Sequence, residues 1–156
     1  MPSRRDQIKL TEEEQRELIE SERIVVCATI GPRGWPHLMP LWYVPRGGEI
    51  WVWTYAKSQK VKNLERDPRA TLLIETGTEY NQLRGVQIEA EAELIRDVDR
   101  IVDYAKALTI RYSEGIQSVE GDAAAALQAQ APKRVAIHFH PKRVATWDHR
   151  KLGGTY

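Results

Sequence analysis

Lys57 and Lys60 bracket Ser58 and Gln59 directly after the aromatic stretch Trp51-Val-Trp-Thr-Tyr55 and just before the apolar pair Val61 and Leu64. Residues of these types at this spacing suit an anion. Trp51, Trp53 and Tyr55 alternate with Ile50, Val52, Thr54 and Ala56, which is the period of a strand covered on both faces. Ser58 can cap a helix that begins there, and Val61 and Leu64 give that helix an inward side. A helix N-terminus offers unsatisfied backbone N–H groups and the positive end of the dipole, both of which attract phosphate. Lysine near that end opposes the dipole unless an anion bridges the two. Lys57 and Lys60 therefore read either as partners of a bound phosphate or as a solvated turn.

Other residues that could do chemistry carry less. His138 and His140 share one strand face and His149 follows, so a metal or haem site can be drawn. Two histidines at strand spacing without a third fixed ligand read as half-exposed strand residues, and no metal is expected. His37, beside Pro36, reads as a surface residue near a turn. Cys27 lies within the apolar run Ile24–Ile30 and reads as a buried thiol of a reducing compartment, with no internal disulfide. Tyr43, Tyr55 and Tyr80 could each give up a proton, yet a tyrosine in an aromatic strand is more often core than catalyst. No catalytic residue is assigned.

The elements that position these groups follow from pattern. Thr11-Glu-Glu-Glu14 has the form of a capping box, opening a helix to about Ser21. Ile24–Ile30 is a β-branched strand that ends at Gly31-Pro-Arg-Gly34, and Pro36–Val44 returns as its hairpin partner. Pro36 and Pro40 each remove a ladder donor there. Pro45-Arg-Gly-Gly48 turns into the strand from Glu49, and Asp67-Pro68 ends the short helix before a strand over Ala70–Glu75. After the polar loop Thr76–Arg84, Val86–Ile95 alternates apolar residues with Gln87, Glu89, Glu91 and Glu93, giving one solvated face. Asp97 opens a helix to about Tyr112, and Asp122–Gln130 is Ala-rich and helical. Arg134–Phe139 and Val144–Trp147 read as closing strands around Pro141, followed by the polar tail HRKLGGTY. Six or seven short strands without a strand-helix alternation argue for a small antiparallel barrel with helical decoration, mainly β.

Composition narrows the function classes. The chain has 156 residues, which points to a single domain over residues 1–156, large enough for a real core. Its 23 basic and 22 acidic residues leave a net charge of +1, so no electrostatic footprint for nucleic acid is present. The polar start RRDQIKLTEEEQ lacks a signal-like apolar core and no run approaches membrane-spanning length. The expectation is a soluble, cytoplasmic protein.

Taken together, Gly34-Trp-Pro-His-Leu-Met-Pro-Leu-Trp-Tyr-Val44, Trp51–Ala56 and the pattern Ser58-x-Lys60-x-x-Asn63-Leu64-x-x-Asp67-Pro68-Arg69 resemble the FMN-binding split barrel of the pyridoxamine 5'-phosphate oxidase type. The resemblance runs over roughly residues 10–150. Lys57 and the ending Thr146-Trp-Asp-His-Arg-Lys-Leu152 resemble the actinobacterial branch that binds the deazaflavin coenzyme F420. What this implies is an antiparallel split β-barrel that is a homodimer with cofactor sites at the subunit interface. The phosphate would lie at Lys57, Ser58, Gln59 and Lys60, and the ring near Met39, Pro40, Leu41, Trp53 and Thr54. Gln82, Arg84, Trp147 and Asp148 would reach a site from the partner chain. The oxidase pattern has arginine at Gln59, and arginine and lysine at Met39 and Val44, which turns the implied cofactor from FMN toward F420. The implied activity is hydride transfer from reduced F420 to an unsaturated or conjugated organic acceptor. An FMN-dependent enzyme like pyridoxamine-phosphate oxidase and a non-catalytic cofactor- or haem-binding protein are the alternatives.

Overall fold

The computed structural model describes residues 1–154; Thr155 and Tyr156, the end of the polar tail, lie outside the described residues. Seven strands, β1 (Ile24–Ile30), β2 (Pro36–Trp42), β3 (Val44–Arg46), β4 (Glu49–Tyr55), β5 (Arg69–Thr76), β6 (Arg84–Ile95) and β7 (Arg134–Asp148), form one antiparallel sheet. Its order is β2-β1-β5-β6-β7-β4-β3. The helices are α1 (Arg4–Gln7), α2 (Glu12–Ser21), α3 (Gln59–Arg66), α4 (Val98–Tyr112) and α5 (Gly121–Gln130). No helix among the described residues is long and apolar enough to cross a membrane.

Strands β2 and β3 lie at opposite edges of this sheet although only Tyr43 separates them in sequence. The sheet must therefore curl until its edges approach, which makes it a split barrel. Tyr43 is fully buried at the crossing. Its hydroxyl lies 2.6 Å from the carbonyl of Ile19 and 2.9 Å from that of Glu22, and its N–H donates to the Tyr112 hydroxyl at 3.0 Å. The end of α2 and the end of α4 are thus both tied to the seam.

Alternation along the strands sorts the side chains. Val25, Cys27, Ile50, Val52, Leu72, Ile74, Val86 and Phe139 point into the curl, closed by Leu18 and Ile19 of α2 and Val61 and Leu64 of α3. The opposite face of β4 is covered as well: Trp51 and Trp53 pack with Ile101, Tyr104 and Leu108 of α4. Burying aromatic side chains of this size contributes about 1.5–3 kcal/mol each, so both faces of β4 are structural as well as site-forming.

The Thr11 capping box is present, with the Thr11 hydroxyl accepting from Glu14 N–H and the Glu14 carboxylate accepting from Thr11 N–H. Three expectations change. Pro36–Val44 is not one strand: it stops at Trp42, and Val44-Pro-Arg46 pairs with β4 on the far edge. The turn is reduced to Gly47 and Gly48, whose φ of 59° and 79° only glycine adopts readily. The two closing strands are one strand, because β6 pairs with β7 from Ala136 to Asp148, across the expected break. Glu89 faces Arg143 and Ala90 faces Pro141, so Lys142 is the extra residue of a bulge and the proline sits where the ladder is already interrupted. The glutamates on the outer face of β6 are paired across the strand, Glu91 with Lys142 at 3.5 Å and Glu89 with Arg143 at 3.9 Å.

Candidate functional site

Helix α3 begins after Ser58, which adopts an extended N-cap conformation but makes no side-chain cap bond. The first turn contains no acidic residue. Its leading N–H groups are therefore left for an external acceptor, as at many anion sites. Lys57 and Gln59 are exposed beside this end and Ser58 is half-buried.

Lys60 does something different from its neighbour. Its side chain turns inward and is buried, and Nζ donates to Thr54 Oγ1 at 2.9 Å. Thr54 Oγ1 lies 3.5 Å from Ser58 Oγ, so the hydroxyls link the lysine to the helix cap. Among the described residues no carboxylate pairs with Lys60. Burial pulls its pKa below the usual lysine value, and the nearby Cys27 opposes this only slightly. Cys27 cannot neutralise it, since burial pushes the thiol up to about 12 and keeps it protonated. A buried cation without a fixed anion is a costly arrangement.

Around this lysine the polar groups form a chain. Asn63 is fully buried, donating to Thr29 Oγ1 at 3.0 Å and accepting from Gln59 Nε2 at 2.8 Å. Thr29 faces His37 in the β1–β2 register. His37 Nδ1 is buried without a hydrogen-bond partner among the described residues, and His37 and Gln59 line one cleft together with Arg33 and Trp35. His37 was legible only as a turn residue, because the cross-strand register that brings it over α3 is not written in local sequence.

The remaining expected residues divide into two groups. Met39 and Pro40 are exposed on β2 and Leu41 is half-buried against the core, all on the β1–β2 hairpin. Trp53 and Thr54 point to opposite faces of β4: Thr54 joins Lys60, whereas Trp53 packs against α4 and lies 4.6 Å from the Arg134 guanidinium. Gln82, Arg84, Trp147 and Asp148 gather at the other end of β6 and β7, where Arg84 pairs with Asp148 and Gly85 with Trp147. The Trp147 ring lies across Gly85 so closely that a Cβ there would sit 2.4 Å from it. Asp148 is buried and its carboxylate accepts from the Arg150 backbone N–H, Nε and Nη2. These bonds hold its pKa below the usual carboxylate value. Thr54, just before α3, faces Val135 at one end of β7, whereas Trp147 and Asp148 lie at the other end of that strand. Met39–Leu41 stand nearer to the second group, since Pro40 lies across from Gln87 through Val26 and Leu73.

Tyr43, one of three possible proton donors, is committed to the seam: burial raises its pKa and its hydroxyl is held by backbone carbonyls. Tyr55 and Tyr80 are exposed, the first beneath Arg134 at 3.7 Å and the second beside the His149 ring.

Residues 11–148 match the pyridoxamine 5'-phosphate oxidase family model. The chain belongs to this family. Among solved structures, the conserved hypothetical protein Rv2991 from Mycobacterium tuberculosis is 37% identical with a TM-score of 0.87, covering 99% of this chain and 95% of that one. An F420 reductase is 19% identical with a TM-score of 0.64, covering 83% and 94%. The haem storage protein HutZ from Vibrio cholerae is 15% identical with a TM-score of 0.67, covering 88% and 96%. The last two share the fold. No curated protein matches the sequence significantly. A protein described as a reductase and one described as a haem storage protein share this fold, so the residues of the site must decide the function.

Proposed function

We propose that this member of the family is an F420-dependent oxidoreductase, passing a hydride from the reduced deazaflavin to an unsaturated or conjugated organic acceptor. The observation that carries the proposal is the buried, carboxylate-free Lys60 at the uncapped start of α3. An anionic group fits it on charge, on donor count and on position. Lys57, the Ser58 hydroxyl and the first amides of α3 hold the phosphate, and Thr54 fixes the direction of Lys60. Gln59, a neutral side chain bonded to Asn63, adds no charge of its own. This favours a cofactor that gains further anion contacts elsewhere over one that depends on a single dense phosphate clamp.

Bound reduced F420 would supply the hydride, and the protein need only place and shield the ring. Met39, Pro40 and Leu41 on β2 provide an apolar wall for that purpose. The second wall comes from a second copy. Trp35, Leu38 and Trp42 are 74%, 58% and 54% exposed on the β1–β2 hairpin, a concentration of apolar surface typical of a covered face. A homodimer would bury it and bring Gln82, Arg84 and Trp147 of one copy toward α3 of the other, with Asp148 positioning Arg150 beside them.

The test is fluorescence titration of the ligand-free protein with F420 and, in parallel, with FMN. Tighter binding of F420 that saturates at one per chain is expected, followed by oxidation of the reduced cofactor when acceptors are supplied. A preference for FMN would assign the protein to the oxidase-like activity, and binding of neither would overturn the cofactor site.

A further inference from the structure

Strand β7 carries His138 and His140 on one face, and the register supplies partners for them that lie far away in sequence. His138 faces Trp51 on β4 and Glu93 on β6; His140 faces Glu91 on β6, and Glu49 is the next residue of β4 beyond Ile50, which faces Phe139. His138 Nε2 lies 2.5 Å from Glu49 Oε2, and His140 Nε2 lies 2.9 Å from Glu93 Oε2. His138 Nδ1 is 3.6 Å from the same Glu93 oxygen. One ligand atom from each of Glu49, His138 and His140 falls within 4.8 Å of the other two.

We propose that Glu49, His138 and His140 bind one divalent transition-metal ion of the zinc type, with Glu93 orienting His140. Two imidazoles and a carboxylate are a donor set that zinc takes at about 2.0–2.2 Å, with the remaining position open to water. Ligand atoms around such an ion stand about 3.3–3.5 Å apart. The Glu49–His138 contact must therefore open by about 1 Å, and the other separations, now within 4.8 Å, must settle to the same spacing. The scaffold is rigid where it needs to be. The His138 ring is stacked on Trp51, with ring centroids 4.2 Å apart and an interplanar angle of 15°, and the centroid of the His140 ring lies 4.0 Å from that of His138 at a tilt of 48°. Trp51 is in turn backed by Tyr104 of α4 and by Arg46, which is fixed by Asp103 at 3.0 Å.

The cluster is reachable from solvent. The His138 side chain is 13% exposed, whereas those of Glu49 and His140 are 36% and 44% exposed. The cations nearby are accounted for: Arg100 stands 3.9 Å from Glu93, and Lys142 is engaged by Glu91. Neither reaches Glu49. The ion would bridge β4 and β7, strengthening a part of the sheet remote from α3.

The experiment is competition of the untagged, full-length protein against a chromophoric zinc chelator, with Co²⁺ absorption as a spectral check on coordination. Wild type should take one zinc per chain and show a cobalt spectrum of low coordination number. His140→Asn and Glu49→Gln should each weaken zinc by about tenfold or more while circular dichroism is unchanged. Failure to bind zinc stoichiometrically would overturn the proposal. So would binding that survives both substitutions undiminished, because the ion would then sit at another histidine.

Discussion

Replacing Lys60 by methionine should raise the stability of the ligand-free protein and lower its affinity for a phosphorylated cofactor. Methionine keeps the stem that lies in the core and removes the ammonium. The loss is the bond from Nζ to Thr54 Oγ1 at 2.9 Å, worth about 1.5–3 kcal/mol as a charge-assisted contact. The gain is the desolvation of a cation that no carboxylate offsets, several kcal/mol in effective terms. The net expectation is a stabilisation of about 1–2 kcal/mol, or roughly 2–8 °C in Tm for a chain of this length. Cofactor binding loses the charge that faced the anion, a drop of roughly 10- to 150-fold in affinity. The pH dependence follows from the depressed pKa of Lys60. The cost of burying the charged form falls in full on wild type at pH values below the depressed pKa of the folded state. As pH rises toward the ordinary value of 10.5, the folded lysine discharges first and the advantage of methionine shrinks. Differential scanning calorimetry at neutral and alkaline pH, beside a titration with F420, reads all of this. A variant that melts several degrees lower and binds as tightly as wild type would refute the argument, making Lys60 a structural residue.

Other substitutions probe the frame around the site. Tyr43→Phe removes the hydroxyl that lies 2.6 Å and 2.9 Å from two backbone carbonyls at the end of α2, and should lower the urea midpoint by the equivalent of about 1–3 kcal/mol. Gly85→Ala would set a methyl 2.4 Å from the Trp147 ring. The ring must move, at about 1–3 kcal/mol, and tryptophan emission should shift with the fall in Tm; an unchanged spectrum would mean that Trp147 does not hold that position in solution.

The legible parts of the fold were those set by local rules. The Thr11 capping box, the β-branched run of β1, the alternation of β4 and β6 and the start of α4 at Asp97 all depend on residues within one or two turns of each other. The polar turn Lys57-Ser-Gln-Lys60 was legible as a candidate anion site because charge and helix polarity are local as well. What local rules could not give was register. That Lys60 would turn inward to Thr54 while Lys57 stayed outside, that His37 would stand over Gln59, and that Glu49 and Glu93 would close around His138 and His140 all follow from pairing across strands. Continuity was also hidden: Pro141 reads as a break, yet the bulge at Lys142 lets β7 run through it, and Tyr43 reads as mid-strand although it is where the chain changes edge.

Both edges of the sheet carry proline. Pro36 and Pro40 lie in β2, and Pro45 is the middle residue of the three-residue β3. Each removes a backbone donor from a strand with no further neighbour in the ladder. Exposed apolar residues beside an open, unblunted strand edge favour strand addition and fibre growth when a protein is concentrated. With both edges blunted, copies can meet over their side-chain faces but are poor templates for one another's backbone, so the surface can remain adhesive without becoming a nucleus for aggregation.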